Sequence, residues 1–412
     1  MRIWYIHPYA GGPGVGRYWR PYYFAIAWMQ RGHQVDVILP SFHHLMDAEK
    51  VPPATHSDKQ VNYRYLPSIR YKKNGFDRLI SMFFFSLCIF PWGLYSATKN
   101  GRPDLILYSS PHPYGFLPAW LLARLLRARI FFEVRDLWPL SMVELAGVSP
   151  HHPLVAFTAG IERLAYQLAD KVISLLPAAE AHMRDKGLSP GKFAYVPNGI
   201  HVDDTLPLQN AEHPLVLKVR EARSRGEFVV VYAGAHGIPN MLQTLVHAAG
   251  RLSRAENSDV RFILIGQGDC KPDLVDLAKE LKLSSMSFYE QLPRSVVLRV
   301  LREASAGYLS LRPQPLFRFG VSPNKLWDYM SQALPVIYAC HSSTDPVMLT
   351  GCGVHADPAN PVSIAGAISY LRSLSQEERT RMGLRGRELV LAEHNYDHLA
   401  AKILQLVVPE RP

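Results

Sequence analysis

Val231-Tyr232-Ala233-Gly234-Ala235-His236-Gly237-Ile238-Pro239-Asn240 is the stretch that decides the fold. An apolar strand ends there in a glycine turn that leads into a helix, the arrangement that opens a βαβ unit. Gly234 and Gly237 would let backbone come close to a ligand, and amides at a helix start suit phosphate. A tight strand-to-helix connection explains the same residues almost as well. Ile263-Leu264-Ile265-Gly266-Gln267-Gly268-Asp269 ends the next strand in the same manner. Glycine turns at successive carboxyl ends would line one edge of a crevice, where open α/β sheets bind ligands.

Outward from that stretch, short apolar strands alternate with helices. Strands are expected near 2–7, 34–39, 62–66, 104–109, 129–133, 171–175 and 193–196, then near 228–233, 260–265, 285–289, 306–311 and 335–339. Helices are expected near 19–31, 115–127 and 153–169, then near 240–255, 272–282, 294–303, 323–333, 361–373 and 376–393. This is an α/β chain of two Rossmann-like domains facing a cleft. Segment 201–227 is polar, lacks a clear period and reads as a linker. The boundaries expected are 1–205, 206–390 and a final segment, 391–412, returning to the first domain.

The 412 residues suffice for two or three domains, and 48% hydrophobic with 19% charged residues is ordinary for a globular chain. Four scattered cysteines fit neither a disulfide framework nor structural zinc, and suit a reducing compartment. Met1 to His7 run straight into a strand, so no cleavable leader is expected. The formal charge of +10 asks for an anionic partner: nucleic acid, an anionic bilayer or a phosphorylated substrate. Without zinc-finger spacing, a ribonucleoprotein-type motif or a basic arm, nucleic acid is the weakest of these.

Leu79 to Thr98 carries no charge, is interrupted by Pro91 and Gly93, and follows Arg70, Lys72, Lys73 and Arg78. It reads as a buried Rossmann helix, as a surface lying in a bilayer interface, or as a span. The third would cut one βαβ domain in half.

Ser322-Pro323-Asn324-Lys325-Leu326-Trp327-Asp328-Tyr329-Met330 is the richest local motif. Ser322 is expected as N-cap and Pro323 at the first helical position. The N–H groups of Asn324 and Lys325 would then face an anion, with Asp328 one turn deeper on the same side. An ordinary capped helix is the plain alternative. Gly11-Gly12-Pro13-Gly14-Val15-Gly16 follows the first strand, but its spacing is not the dinucleotide fingerprint, and a flexible turn is the alternative. Arg17 and Arg20 could reach an anion or be solvated. Glu133-Val134-Arg135-Asp136-Leu137-Trp138-Pro139 closes a strand with charged groups at its carboxyl end, where open α/β sheets bind ligands, and a structural pairing of Arg135 with Asp136 or Glu133 is the alternative. The seventeen histidines show no metal spacing, and neither a nucleophile elbow nor a Walker A sequence occurs.

Taken in order, these motifs resemble the family 4 glycosyltransferases of the two-domain GT-B fold. The resemblance rests on the first glycine loop, Arg31-Gly32-His33-Gln34-Val35, the run 133–139, Pro197-Asn198-Gly199-Ile200, and Gly234 to Gly237. Ser322 to Met330 with Leu334-Pro335-Val336-Ile337, and His394-Asn395-Tyr396, complete it. In style the chain is similar to bacterial surface-polysaccharide transferases acting on polyprenyl-linked acceptors.

The resemblance implies retaining transfer of a hexosyl or N-acetylhexosaminyl group from a nucleoside diphosphate sugar, UDP favoured. It implies no cofactor and no metal. The partners implied are the nucleotide sugar and a saccharide or lipid-linked acceptor, with an anionic membrane surface in reach and no nucleic acid. A cytoplasmic location, at the inner face of the membrane, goes with it. The donor seat would comprise Gly12, Gly14, Gly234, Gly237, Gly266, Ser322, Asn324, Lys325 and Asp328, with Asp328 on the ribose. Lys325, Arg135 and Asp136 would serve catalysis. The first acidic position of the family's Glu-x7-Glu motif falls on Gly320, and Ala235 and Asn240 stand where basic residues are common. Lys325 is the first choice to supply that charge, ahead of Arg312 or Arg318. A sugar-nucleotide epimerase and a non-catalytic membrane-associated subunit of the same fold are the alternative readings.

Overall fold

The computed structural model describes residues 1–46, 55–58, 61–72, 75–201, 213–254 and 259–407. It divides into two compact units, Met1–His201 with Arg318–Ser322 and Tyr396–Pro412, and Val202–Phe317 with Pro323–Asn395.

The first unit holds strands β1 (Arg2–Ile6), β2 (Gln34–Pro40), β3 (Thr55–Asp58), β4 (Val61–Leu66), β5 (Leu105–Ser109), β6 (Arg129–Val134), β7 (Lys171–Ser174) and β8 (Phe193–Tyr195). Their order is β3-β4-β2-β1-β5-β6-β7-β8, parallel except for the β3–β4 pair. Ile3, Trp4, Tyr5 and Ile6 are all fully buried, because a parallel sheet is covered on both faces. The strand order reverses between β1 and β5, and the crevice beyond their carboxyl ends is the expected ligand position. Helices α1 (Arg20–Gln30), α2 (Phe76–Asn100), α3 (Phe116–Leu126), α4 (Leu140–Glu144), α5 (Pro153–Leu168) and α6 (Glu180–Asp185) complete the layers.

The apolar segment is α2, 25 residues long and continuous through Pro91. Met82, Phe85, Ile89 and Gly93 are its buried side, and the Leu122 side chain of α3 lies where a Cβ on Gly93 would sit. Phe76, Ile80, Phe84, Leu87, Leu94 and Tyr95 stay exposed. By length and composition α2 could cross a membrane, and its buried face packs into the helix layer of the first unit. Lys73 of the basic flank lies outside the described residues.

The second unit is an all-parallel sheet of β9 (Phe228–Ala233), β10 (Val260–Ile265), β11 (Met286–Tyr289), β12 (Ala306–Ser310), β13 (Val336–Ala339) and β14 (Gly353–His355), ordered β11-β10-β9-β12-β13-β14. Around it run α7 (Pro214–Ser224), α8 (Leu242–Arg254), α9 (Lys271–Glu280), α10 (Arg294–Glu303), α11 (Asn324–Ser331), α12 (Pro346–Thr350), α13 (Pro361–Ser373) and α14 (Gln376–Glu393). The last helix, α15 (Tyr396–Gln405), joins the first unit, where Trp28 Nε1 donates to Ala400 O at 3.1 Å. That return matches the expectation for the carboxyl-terminal segment.

Two local readings are corrected. The linker 201–227 contains α7, whose N-cap His213 accepts from Leu215 N–H through Nδ1 and which buries Leu215, Val216, Val219 and Ala222. Residues 202–212 of that segment lie outside the described residues. Ser322 is not an N-cap: α11 starts at Asn324 after Pro323, and the Ser322 hydroxyl accepts from Asn198 N–H at 3.0 Å.

Candidate functional site

In the second unit, the turns after β9 and β10 pack directly together. A Cβ on Gly266 would lie 1.9 Å from Gly234 O, and one on Gly268 would lie 2.4 Å from His236 O. Both have φ near 150°, so side chains there would be strained as well as crowded. Against this floor lies α11, anchored by Leu326, Trp327, Tyr329 and Met330. Tyr329 Oη accepts from Ala233 N–H at 3.0 Å and donates to Tyr308 O at 3.1 Å, tying the helix to the sheet end.

That anchoring lays Lys325 over Gly234, whose hypothetical Cβ would meet Lys325 Cε at 2.7 Å. The ammonium donates to Tyr232 Oη at 2.8 Å and to Asn240 Oδ1 at 2.6 Å, and sits 4.5 Å from the Tyr232 ring centroid. Tyr232 Oη in turn donates to Ala235 O at 2.6 Å, and Asn240 Nδ2 donates to the same carbonyl at 3.0 Å. No carboxylate pairs with Lys325 among the described residues, and burial lowers its pKa to about 7. An ammonium held by neutral oxygens in a desolvated place asks for an anion.

One turn on, Asp328 pairs with Arg294 at 2.5 Å. Burial raises its carboxyl pKa, and Arg294 works against that shift. His236 is fully buried with neither ring nitrogen hydrogen-bonded, and burial, then Lys271 and Lys325, lower its pKa to about 4. Lys271 is committed elsewhere: Nζ donates to Gly266 O, Tyr289 O and Glu290.

Of the predicted donor residues, Gly234, Gly266, Asn324, Lys325 and Asp328 share this edge. Gly237 borders it at the start of the 3-10 turn Ile238–Asn240. Tyr232, Asn240 and Arg294 are missing from the sequence-based set. The resemblance pointed at position 240 as a basic one, and Asn240 there holds Lys325 instead. Arg312 is exposed, whereas Arg318 is bound to Glu144 at 2.8 Å in the first unit, which removes it as a spare cation. Gly320 has φ +96°, so the backbone itself disfavours the carboxylate the family motif would put there.

In the first unit, Gly12 (φ +153°) makes room for Tyr63, whose Oη would lie 2.1 Å from a Cβ there, while Gly14 (φ +68°) is exposed. Arg20 is neither a solvated charge nor an anion finger. It is buried against Glu133 at 3.0 Å and donates to Val196 O and Pro197 O. Glu133 also accepts from Tyr5 Oη at 2.9 Å and Ser109 Oγ at 2.7 Å. The alternative of a structural Arg135–Glu133 or Arg135–Asp136 pair is not met among the described residues. Arg135 lies over the Tyr18 ring, 3.7 Å from its centroid, and Asp136 points to solvent.

Residues 14–199 match the family model described as glycosyl transferase 4-like domain, and residues 227–373 match the one described as glycosyl transferases group 1. A Pseudomonas aeruginosa protein named probable glycosyltransferase WbjE is 22% identical over 387 residues, 90% of each chain. The structure of WaaG, a glycosyltransferase involved in lipopolysaccharide biosynthesis, superimposes with a TM-score of 0.67 at 13% identity, covering 100% of both chains. Anabaena Alr3699/HepE in complex with UDP and glucose gives 0.63 at 14% identity, covering 98% of both chains. With two parallel α/β units of this topology and both family models matched in order, the chain belongs to the family 4 glycosyltransferases of the GT-B fold.

Proposed function

We propose that this glycosyltransferase takes a hexosyl or N-acetylhexosaminyl group from a nucleoside diphosphate sugar, with UDP as the nucleotide, and transfers it with retention to a polyprenyl-linked saccharide. The observation that carries the reading is Lys325, an ammonium without a carboxylate partner at the tip of α11, over the glycine turns of β9 and β10. The diphosphate would lie against the Lys325 ammonium and the amides of Asn324 and Lys325, with Gly234, Gly237 and Gly266 allowing close approach. Asp328, oriented by Arg294, would accept from the ribose hydroxyls. UDP is favoured by its presence in the HepE complex.

Retention fits attack by the acceptor on the face from which the diphosphate leaves, so the protein needs no nucleophile. Its work is to stabilise the departing charge with fixed cations and amides, worth several kcal/mol when pre-organised. No cofactor or metal takes part in this scheme, so EDTA leaves turnover unchanged. Arg135 and Asp136 would serve the sugar or the acceptor. The exposed apolar side of α2, flanked by exposed Arg70 and Lys72, supports a lipid-linked acceptor met at an anionic cytoplasmic membrane face. Thermal stabilisation across UDP, GDP, ADP and their sugars tests the donor reading. UDP and UDP-sugars should raise the melting temperature, and stabilisation by none of them would overturn it.

A further inference from the structure

Arg135, Tyr18 and His7 form a second cluster of hydrogen-bond donors, at the carboxyl edge of the first unit's sheet. His7 follows β1, Arg135 follows β6 and Tyr18 precedes α1, so the topology itself brings them to one edge. The His7 ring stacks on Tyr18 with centroids 4.9 Å apart, and the Arg135 guanidinium lies on the same phenol.

The hydrogen bonding of the cluster does not close. Tyr9 N–H donates to His7 Nδ1 at 3.0 Å, so a neutral ring carries its proton on Nε2. The ring is neutral because burial, then Arg135 and His43, push its pKa well below the usual range. His7 Nε2–H thus faces Arg135 Nη1, another donor, at 3.4 Å. Arg135 Nε and Tyr18 Oη are both buried without any partner. Burial holds the Tyr18 phenol protonated, as a donor.

The charge does not close either. Among the described residues no carboxylate pairs with Arg135. Glu133, two positions earlier, is taken by Arg20, Tyr5 and Ser109, and Asp136 is exposed. A partly buried guanidinium without counter-charge is costly, and buried donors left without an acceptor add to that cost. Both debts are settled by one anionic group with several acceptor oxygens.

The geometry points to an oxyanion site at Arg135, Tyr18 Oη and His7 Nε2, which receives a carboxylate or phosphate carried by the sugar substrates. This inference rests on the proposed sugar-transfer reading and extends it: at least one of the two substrates is anionic beyond the nucleotide's own diphosphate. The two sources are a uronic acid as the transferred sugar and the phosphate of a polyprenyl acceptor.

Calorimetric titration of the full chain separates them. The probes are UDP-glucuronic acid against UDP-glucose, and farnesyl diphosphate against farnesol. In Arg135→Gln and in Tyr18→Phe, one charged probe should lose about tenfold or more in affinity, with its neutral counterpart within about twofold. The probe that responds names the source. Tyr18→Phe removes one oxygen and keeps the ring under Arg135, so it decides the matter if Arg135→Gln does not fold. Equal losses for charged and neutral probes, or no charge-dependent binding at all, overturn the site. UDP alone reports on the second unit. If UDP fails to bind while farnesyl diphosphate binds and responds, the nucleotide reading falls and the oxyanion site stands.

Discussion

Lys325→Met separates the two costs that meet at the tip of α11. The substitution keeps an apolar stem over Gly234 and removes the ammonium that donates to Tyr232 and Asn240. A charge-assisted hydrogen bond to a diphosphate contributes about 1.5–3 kcal/mol, so affinity for UDP-glucose should fall by about ten- to hundredfold. Stability moves the other way. The folded pKa of about 7 lies below the ordinary 10.5, so between those values the folded state holds fewer protons than the unfolded one. Wild-type stability therefore rises with pH across that window, and the desolvation cost is fully present below it. The variant loses this dependence and melts no lower than wild type at acidic pH. Binding carries the same signature: at about pH 8 only about one free molecule in ten holds the ammonium charged, so wild-type affinity falls about tenfold from about pH 6. UDP-glucose is the right probe because its diphosphate does not titrate there. Calorimetry at both pH values, in two buffers of different ionisation enthalpy, reads affinity and proton uptake together. Variant affinity within about twofold of wild type, or the same pH slope in both proteins, would rule out an ammonium–diphosphate contact at Lys325.

Asp328→Asn should weaken UDP by about tenfold and remove the preference for UDP over a dideoxy-ribose analogue, read by competition binding. Arg20→Met leaves Glu133 charged and buried without its partner, and should cost about 3–5 kcal/mol in chemical denaturation. Phe84→Lys and Phe85→Lys test the two faces of α2, since Phe84 is 41% exposed and Phe85 only 1%. The first should lower sedimentation with anionic vesicles at unchanged melting temperature, and the second should unfold the first unit.

The strands of both units are legible in the sequence because parallel sheets bury whole apolar runs, as in Ile3 to Ile6 and Phe228 to Tyr232. Helix α7 is hidden inside a polar stretch, and its signal is the His213-Pro214 start rather than a strong stripe. Ser322 shows a limit of local reading. Serine before proline is a fair N-cap pattern, but Asn198, 124 residues away, claims the hydroxyl. Arg20 and Glu133 show the same limit for charge, since their separation of 113 residues leaves no trace in spacing. At the candidate seat, α11 and the glycine turns stand out by pattern, whereas Tyr232, Asn240 and Arg294 enter only through tertiary contacts.

Retaining transfer from a nucleotide sugar to a separate acceptor is open to direct assay. The most direct test incubates the purified chain with a panel of α-linked UDP-sugars and a polyprenyl diphosphate-linked saccharide, and assigns the anomeric configuration of the product by NMR. One UDP should be released per new glycosidic bond, with an α linkage and no change in the UDP-sugar when the acceptor is left out. A β-linked product, or conversion of a UDP-sugar without any acceptor, would contradict it.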